Sequence, residues 1–401
     1  MKIICYTLVF LTFASISQSQ TWKKIAAMPG DGRDAGITFT IGDSIYAGGG
    51  SGGKDFYKYD QQSNKWTKKA DIPGVTLNRG FAIGFSINGK GYVGTGTDQN
   101  VSVLKSDLWE YDPALNTWTQ KADFPGGKRD GLGVFVINNK AYVGGGSDAS
   151  FYVHQDFYEY DPATDTWTQK ADLGSGYTVF PAMFSIDNYG YLTCGAGQTE
   201  FNDLYRYDPS TDSWDSMSPF PEDSARQTCV AFVLGGKGYV GLGQRNYDTV
   251  FTALCSYDPV KDEWKKITDI PGKGRAWAMT AVIGNNAYIG NGWDFGASFF
   301  SDWYAFSPTS ASVQNAPGKE NSTLYCFPDP APNTIQIGGM TSGLNYEISF
   351  SDMVGREIIH LSFLSRSETS PTLDISGLRP GTYNVAITNG VKFTTTKFIK
   401  E

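Results

Sequence analysis

Five tryptophans, Trp66, Trp118, Trp167, Trp214 and Trp264, recur every 47–52 residues, and each closes an octapeptide that opens Tyr-Asp. The five read YDQQSNKW, YDPALNTW, YDPATDTW, YDPSTDSW and YDPVKDEW. A fixed period of this length limits the fold severely, because each unit is one supersecondary element that must bury its faces against its neighbours. Upstream, the correspondence extends to single residues. Tyr46, Tyr92, Tyr142, Tyr191, Tyr239 and Tyr288 each have an aliphatic residue five positions earlier and a glycine four positions later. Thirteen positions before them stand Arg33, Arg79, Arg129, Thr178, Arg226 and Arg275. The units therefore number six, the last without its tryptophan.

Each unit spells four short antiparallel strands. The first alternates, as in GVFVI, and turns at an Asn/Gly pair, a hairpin signal. The second carries the tyrosine and ends at glycines, which allow close backbone approach. The third, of the DFYEYD type, puts alternate aromatics on one face, and the fourth begins at the tryptophan. A four-stranded unit repeated six times buries its faces by radial packing, which predicts a β-propeller. The segment TWKKIAAMPG (21–30) matches NTWTQKADFPG (116–126), a fourth strand lacking its first three. It is expected to complete the sixth unit through Trp22 and so close the ring.

The arginine, the glycine-ended second strand, and the Tyr and Trp at fixed spacing resemble the kelch repeat across residues 21–308. The paired glycines of that family stand at Gly48-Gly49 and Gly144-Gly145, whereas GTG (94–96) and TCG (193–195) break the doublet. The later glycine is present in all six units. The composition agrees with strands and tight turns: 47 Gly, 23 Tyr, 25 Phe and 10 Trp, with 18% charged residues. A net charge of −8 without a Lys/Arg cluster argues against nucleic acid as a partner.

The opening MKIICYTLVFLTFASISQSQ has a basic start, a short apolar run and small polar residues, and is expected to be a signal peptide over residues 1–19. It is too short to span a bilayer, and no membrane span is expected elsewhere. Cys194, Cys229, Cys255 and Cys326 fit neither a zinc site nor a disulfide framework and read as buried free thiols. A Cys194–Cys229 pairing stays open, should adjacent units bring them together.

After Pro308 the repeat grammar stops. TSASVQNAPGKENST reads as a linker (309–322), and residues 323–401 give short alternating strands between Pro/Gly turns, a small immunoglobulin-like β-sandwich. FPDPAPN, SDMVGRE and ISGLRPGTYNVAITNG before a final TTTKFIKE resemble the type A C-terminal sorting domain of type IX secretion cargo in the Bacteroidota. That resemblance implies the type IX machinery as a partner and a secreted or outer-membrane, cell-surface destination. The expected fold class is thus all-β: a six-bladed kelch-type β-propeller (20–308) closed by the N-terminal strand, then the sandwich.

Positions shared by six units serve the common fold, so function is sought where they diverge. The octapeptide turns are the most uniform segments. The second-to-third-strand loops on the opposite face diverge strongly, as in SDASFYVHQD (147–156), QRNYDTVFTA (244–253) and WDFGASFFSD (293–302). Exposed aromatics beside Asp, Asn and Gln suit a glycan or protein ligand. Tyr152, His154, Tyr247, Trp277 and Trp293 are candidate ligand-binding residues on this face. Arg33, Arg79, Arg129, Arg226 and Arg275 are candidates too, as a ring of guanidinium groups at the mouth of the channel. The competing role for these arginines is structural pairing with Asp55, Asp107, Asp156, Asp203 or Asp302, within a unit or between units.

Kelch propellers include copper sugar oxidases that bind the metal with two His and two Tyr. Residues 20–308 hold a single histidine, His154, so that chemistry is excluded and no metal or cofactor is expected. No nucleophile elbow or phosphate loop is present. The segment PGGKRDG (125–131) is similar to the second-repeat start of secreted kelch sialic-acid mutarotases. That resemblance implies a carboxylate acid/base beside an arginine, with Arg129 and Asp130 or Glu200 in those roles. Arg129 is also the repeat arginine, so the leading expectation is a non-catalytic binding module with no catalytic residue, and the metal-free mutarotase (epimerase) is the alternative.

Overall fold

A computed structural model describes residues 19–98, 102–221, 225–296, 299–310, 325–327, 333–338, 345–351, 357–364, 372–388 and 393–400. The expected signal peptide, all but Ser19, and most of the expected linker lie outside them, as do parts of the sorting-domain motifs. The chain divides into two compact units, one of which is Gln20–Pro308. Both are built of antiparallel strands. Among the described residues the helical content is one three-residue turn, Gly50–Gly52.

The larger unit contains six four-stranded sheets. The first runs Gly36–Ile41, Ser44–Gly49, Phe56–Asp60, Lys65–Lys69, each strand pairing with the next. The second to fifth sheets repeat this order, beginning at Ile83–Ile87, Asp130–Ile137, Ala182–Ile186 and Val230–Leu234. The sixth takes Met279–Ile283, Asn286–Gly290 and Trp303–Ser310, and its outer member is Ser19–Ile25 from the other end of the sequence. The six innermost strands neighbour one another in a cycle, the sixth packing against the first.

Two sets of hydrogen bonds join successive sheets. The glycine that ends each second strand donates its N–H to the carbonyl of the next unit's opening residue. These bonds run Gly50 to Arg79, Gly96 to Arg129, Gly146 to Thr178, Gly195 to Arg226, Gly243 to Arg275 and Gly292 to Arg33, at 2.6–3.0 Å. All six glycines have φ between 70° and 102°, and a Cβ at Gly50 would stand 2.0 Å from the Asp34 carbonyl. This position therefore needs glycine, which explains why it persists where the doublet is broken.

The octapeptides supply the second set. Within each, Tyr and Trp face each other across the ladder, as at Tyr160↔Trp167. The sixth residue, Asn64, Asn116, Asp165, Asp212 or Asp262, adopts φ of 52–56° and accepts the tyrosine hydroxyl proton at 2.6–2.9 Å. The same side chain accepts a backbone N–H from the preceding sheet, from Ala26, Ala70, Ala122, Ala171 and Ser218 in turn. Trp66, Trp118, Trp167 and Trp264 donate their indole N–H to the carbonyl of that same preceding residue. Because Ala26 follows the N-terminal strand, the first octapeptide binds the first sheet to the sixth.

Cys194, Cys229 and Cys255 are free thiols, clustered with Phe184, Val240 and Tyr257 between the fourth and fifth sheets. The side chain of Cys326 lies outside the described residues. The smaller unit holds a three-stranded sheet, Tyr325–Phe327, Thr334–Gly338, Thr372–Asp374, and a four-stranded sheet ordered Glu357–Leu364, Asn345–Ser351, Gly381–Thr388, Phe393–Lys400. Alternate residues Tyr346, Ile348 and Phe350 join Ile335, Val385 and Ile387 in its core.

Candidate functional site

The repeat arginines are buried inside their own sheets. Arg33, Arg79, Arg129 and Arg275 are at most 1% exposed. They pair with Asp55, Asp107, Asp156 and Asp302, at 2.5–2.8 Å. Arg33 and Arg129 grip both carboxylate oxygens, and each directs Nη1 to the carbonyl sixteen residues on, Gly49 or Gly145. Arg275 does the same with Asn291. The pairing is thus within each unit, because the aspartate opens the third strand beside the end of the second. At Asp302 burial acts to raise the carboxyl's pKa, but Arg275 outweighs it and holds it below the usual range. In the fifth unit Ala253 replaces the aspartate, and Arg226 lies 3.6 Å from the centre of the Phe251 ring while bonding the Leu242 carbonyl. In the fourth, Thr178 turns its hydroxyl to Ser175 and Gly176. The five arginines tie strand ends together and do not open on a channel mouth.

Two residues after each opening position lies a second ring. Ala35, Phe81, Gly131, Phe180, Thr228 and Trp277 all adopt left-handed φ, from 51° to 68°. They are linked by backbone hydrogen bonds: Ala35 donates to Trp277, Phe81 to Ala35, Gly131 to Phe81, Phe180 to Gly131 and Thr228 to Phe180. Together they line a cavity of about 180 Å3. Below it, the middles of the innermost strands enclose a channel of about 340 Å3 lined by small residues such as Thr38, Ser86, Ser185 and Val282. The left-handed backbone suits Gly, yet three of the six positions hold aromatics. Phe81, Phe180 and Trp277 come from alternate sheets and meet over the axis, with ring centroids 5.4, 5.9 and 6.2 Å apart. Each non-glycine residue in this conformation costs about 1–2 kcal/mol.

Around Trp277 the aromatic surface continues. Trp293 stacks near it at 6.4 Å, Tyr247 lies at 6.5 Å, and Phe295 packs against both tryptophans. Trp293 donates its indole N–H to the Gly296 carbonyl, which fixes its ring. Tyr152 and His154 occupy another sector. Tyr152 is 54% exposed and makes edge contacts with His154 and Tyr177, and His154 Nε2 stands 3.2 Å from Asp148 Oδ2. A hydrogen bond with Tyr177 pushes the Tyr152 phenol up. The structure thus brings Tyr247, Trp277 and Trp293 together, sets Tyr152 and His154 apart, and separates both groups from the arginines.

The acid/base candidates are equally specific in their surroundings. Burial raises the Asp130 carboxyl, which accepts the hydroxyls of Thr97 at 2.5 Å and Ser147 at 3.2 Å. Glu200 accepts the Asn246 N–H at 2.9 Å and the Gln227 amide at 3.4 Å. Neither partners Arg129, which is held by Asp156, Gly145 and Gly126. Among the described residues no group of three or more His, Cys, Asp or Glu side chains could hold a metal ion. Phe81 and Thr228 escaped the sequence reading. Their signal was available: the second residue after the opening position is Ala, Phe, Gly, Phe, Thr, Trp in turn, within an otherwise uniform segment.

Residues 8–179 match the family described as the KLHDC2/KLHL20/DRC7 Kelch-repeats domain, and residues 325–401 match the Secretion system C-terminal sorting domain. Relatives named N-acetylneuraminate epimerase include one from Haemophilus influenzae (strain PittEE), 27% identical over 295 residues, 71% of this chain and 59% of the relative. Another, from Pasteurella multocida (strain Pm70), is 37% identical over 122 residues, 29% of this chain and 32% of the relative. The chain therefore spans less than two thirds of the length of these relatives. The solved structure of YjhT superposes with a TM-score of 0.61 at 20% identity, covering 69% of this chain and 96% of that one, a likeness of fold. The chain is a kelch-type β-propeller protein that carries a C-terminal sorting signal of the type IX secretion system.

Proposed function

We propose that this protein is an exported, non-catalytic binding module whose divergent loop face recognises a glycan or a protein. In this reading residues 20–308 form a six-bladed propeller closed by the N-terminal strand, after a signal peptide at 1–19. A linker at 309–322 leads to an immunoglobulin-like sorting domain at 323–401, which engages the type IX machinery and delivers the propeller to the cell surface. The observation that carries the reading is the aromatic ring at the axis. Strained aromatics concentrate on the divergent face, while four of the five repeat arginines that a charged-ligand site would use are buried and committed to partly buried aspartates. The ligand-binding candidates accordingly narrow to Tyr152, His154, Tyr247, Trp277 and Trp293. A glycan array and a pull-down with the full chain test this, with Trp293→Ala and Tyr152→Ala as reporters. A hit that both variants leave intact contradicts the choice of face.

The epimerase reading is favoured by the names of the relatives and by the resemblance of PGGKRDG (125–131). It assigns acid/base work to Asp130 or Glu200 and the grip on the sugar carboxylate to Arg129. Exchange spectroscopy on N-acetylneuraminate anomers tests it: acceleration by the protein supports the enzyme, and an unchanged exchange rate removes it.

A further inference from the structure

We infer that the axial mouth beside Trp277 is a subsite for a single uncharged sugar ring. This rests on the reading of the loop face as a recognition surface and specifies where on that face the ligand sits and what its chemistry is.

Three independent features meet there. The first is the aromatic floor already described, with Trp277 presented by a backbone that favours glycine. A flat indole beside Tyr247 offers the face against which the C–H side of a pyranose packs. The second is a set of buried polar atoms. Among the described residues Thr228 Oγ1, Gln227 Oε1, Gln244 Nε2 and Trp277 Nε1 find no hydrogen-bond partner. Thr228, Gln227 and Gln244 are 7%, 2% and 0% exposed, and Thr228 and Trp277 line the mouth. A buried polar group left unpaired costs about 1–3 kcal/mol, so a set that holds both donors and acceptors calls for a partner that supplies both. Sugar hydroxyls do. Gln227 and Gln244 are bridged to each other through their backbones, and Tyr247 N–H donates to Gln244 Oε1, so the polar set and the aromatic set belong to one site.

The third feature is charge. Every residue lining the mouth is uncharged. The nearest carboxyls in sequence, Asp34 and Asp130, immediately precede mouth residues Ala35 and Gly131. No arginine lines the mouth to meet an anionic sugar: Arg33, Arg79, Arg129 and Arg275 are paired within their sheets, and Arg226 and Arg245 both lie over the Phe251 ring. The cavity of about 180 Å3 is well below the roughly 300–1,000 Å3 of a drug-sized pocket, which limits it to one ring.

The test is saturation-transfer NMR and tryptophan fluorescence on the full chain. The probes are the methyl pyranosides of glucose, galactose, mannose and N-acetylglucosamine, set against N-acetylneuraminic acid. At least one neutral pyranoside is expected to bind and N-acetylneuraminic acid to bind more weakly. Trp277→Ala is expected to weaken binding at least about 10-fold. Thr228→Val, nearly isosteric, is expected to weaken it about 5- to 10-fold without unfolding the protein. Val260→Ala, at an exposed position of an octapeptide turn, is expected to have no effect, and Tyr152→Ala, in the other sector of the loop face, is expected to weaken binding less than Thr228→Val does. The inference is overturned if no neutral pyranoside binds, if N-acetylneuraminic acid binds best, or if Tyr152→Ala rather than Thr228→Val weakens binding. In the last case the loop face stands as a recognition surface and only this subsite fails.

Discussion

The octapeptide turns and the axial ring both place a left-handed residue in successive sheets, and they use it in opposite ways. At the octapeptides the backbone and the side chains are both constant: Asn or Asp at φ 52–56° takes the tyrosine hydroxyl on one side and the preceding sheet on the other. At the ring the backbone is constant at φ 51–68°, but the side chains run from Gly to Trp. Asn and Asp are among the residues that tolerate this conformation, and Phe and Trp are not. The octapeptide therefore lowers its conformational cost and gains two bonds. The ring raises its cost and gains an aromatic surface. A position that every unit needs settles on the cheapest suitable residue, and a position released from that need can carry recognition.

The largest effect expected from breaking the constant half lies at the chain's start. Deleting residues 20–30 removes the outer strand of the sixth sheet and the Ala26 anchor for Asn64 and Trp66. The larger unit should then lose its cooperative melt, and a variant that keeps the parent melting temperature would refute the stapling role of that strand. Next in size is Arg275→Leu, which leaves Asp302 half-buried without its cation. A cost of about 3–5 kcal/mol in denaturant unfolding is expected. A cost under about 1 kcal/mol would return the arginines to the list of surface groups.

A smaller effect separates the octapeptides from one another. Burial acts to raise Asp165, Asp212 and Asp262, but hydrogen bonds from tyrosine and from the preceding sheet outweigh it and hold them below the usual 3.8. A depressed folded pKa contributes stability that is present above the unfolded value and lost as pH falls through the folded one. Asn64 and Asn116 make the same bonds without titrating. The triple change Asp165→Asn, Asp212→Asn, Asp262→Asn should therefore flatten the decline of melting temperature below about pH 4. An unaltered acid profile would show that other carboxylates govern it.

Much of this frame is legible in the sequence, since period, alternation and an obligatory glycine leave marks at fixed offsets. The all-β character and the four-stranded unit follow from such marks. The partner of each arginine was not legible, because the units that lack an arginine or an aspartate do not single out the within-unit pairing: it keeps four pairs, and pairing to the next unit would keep five. Only the adjacency of Asp55 to the end of its own second strand decides it. The ring was legible only as a divergent position two residues after each opening residue, and its geometry was not. Phe81, Phe180 and Trp277 carry no sequence sign of positive φ, and the isolation of Thr228 Oγ1 and Gln227 Oε1 depends on what surrounds them in space.

The separation of frame from recognition surface is tested most directly by Trp277→Gly, with unfolding and glycan-array binding measured on the same preparation. Glycine suits the left-handed backbone, so the stability cost should be less than half that of Arg275→Leu, while binding is lost. Glycan or protein binding that survives Trp277→Gly undiminished would contradict the account, because the ring would then be packing and nothing more.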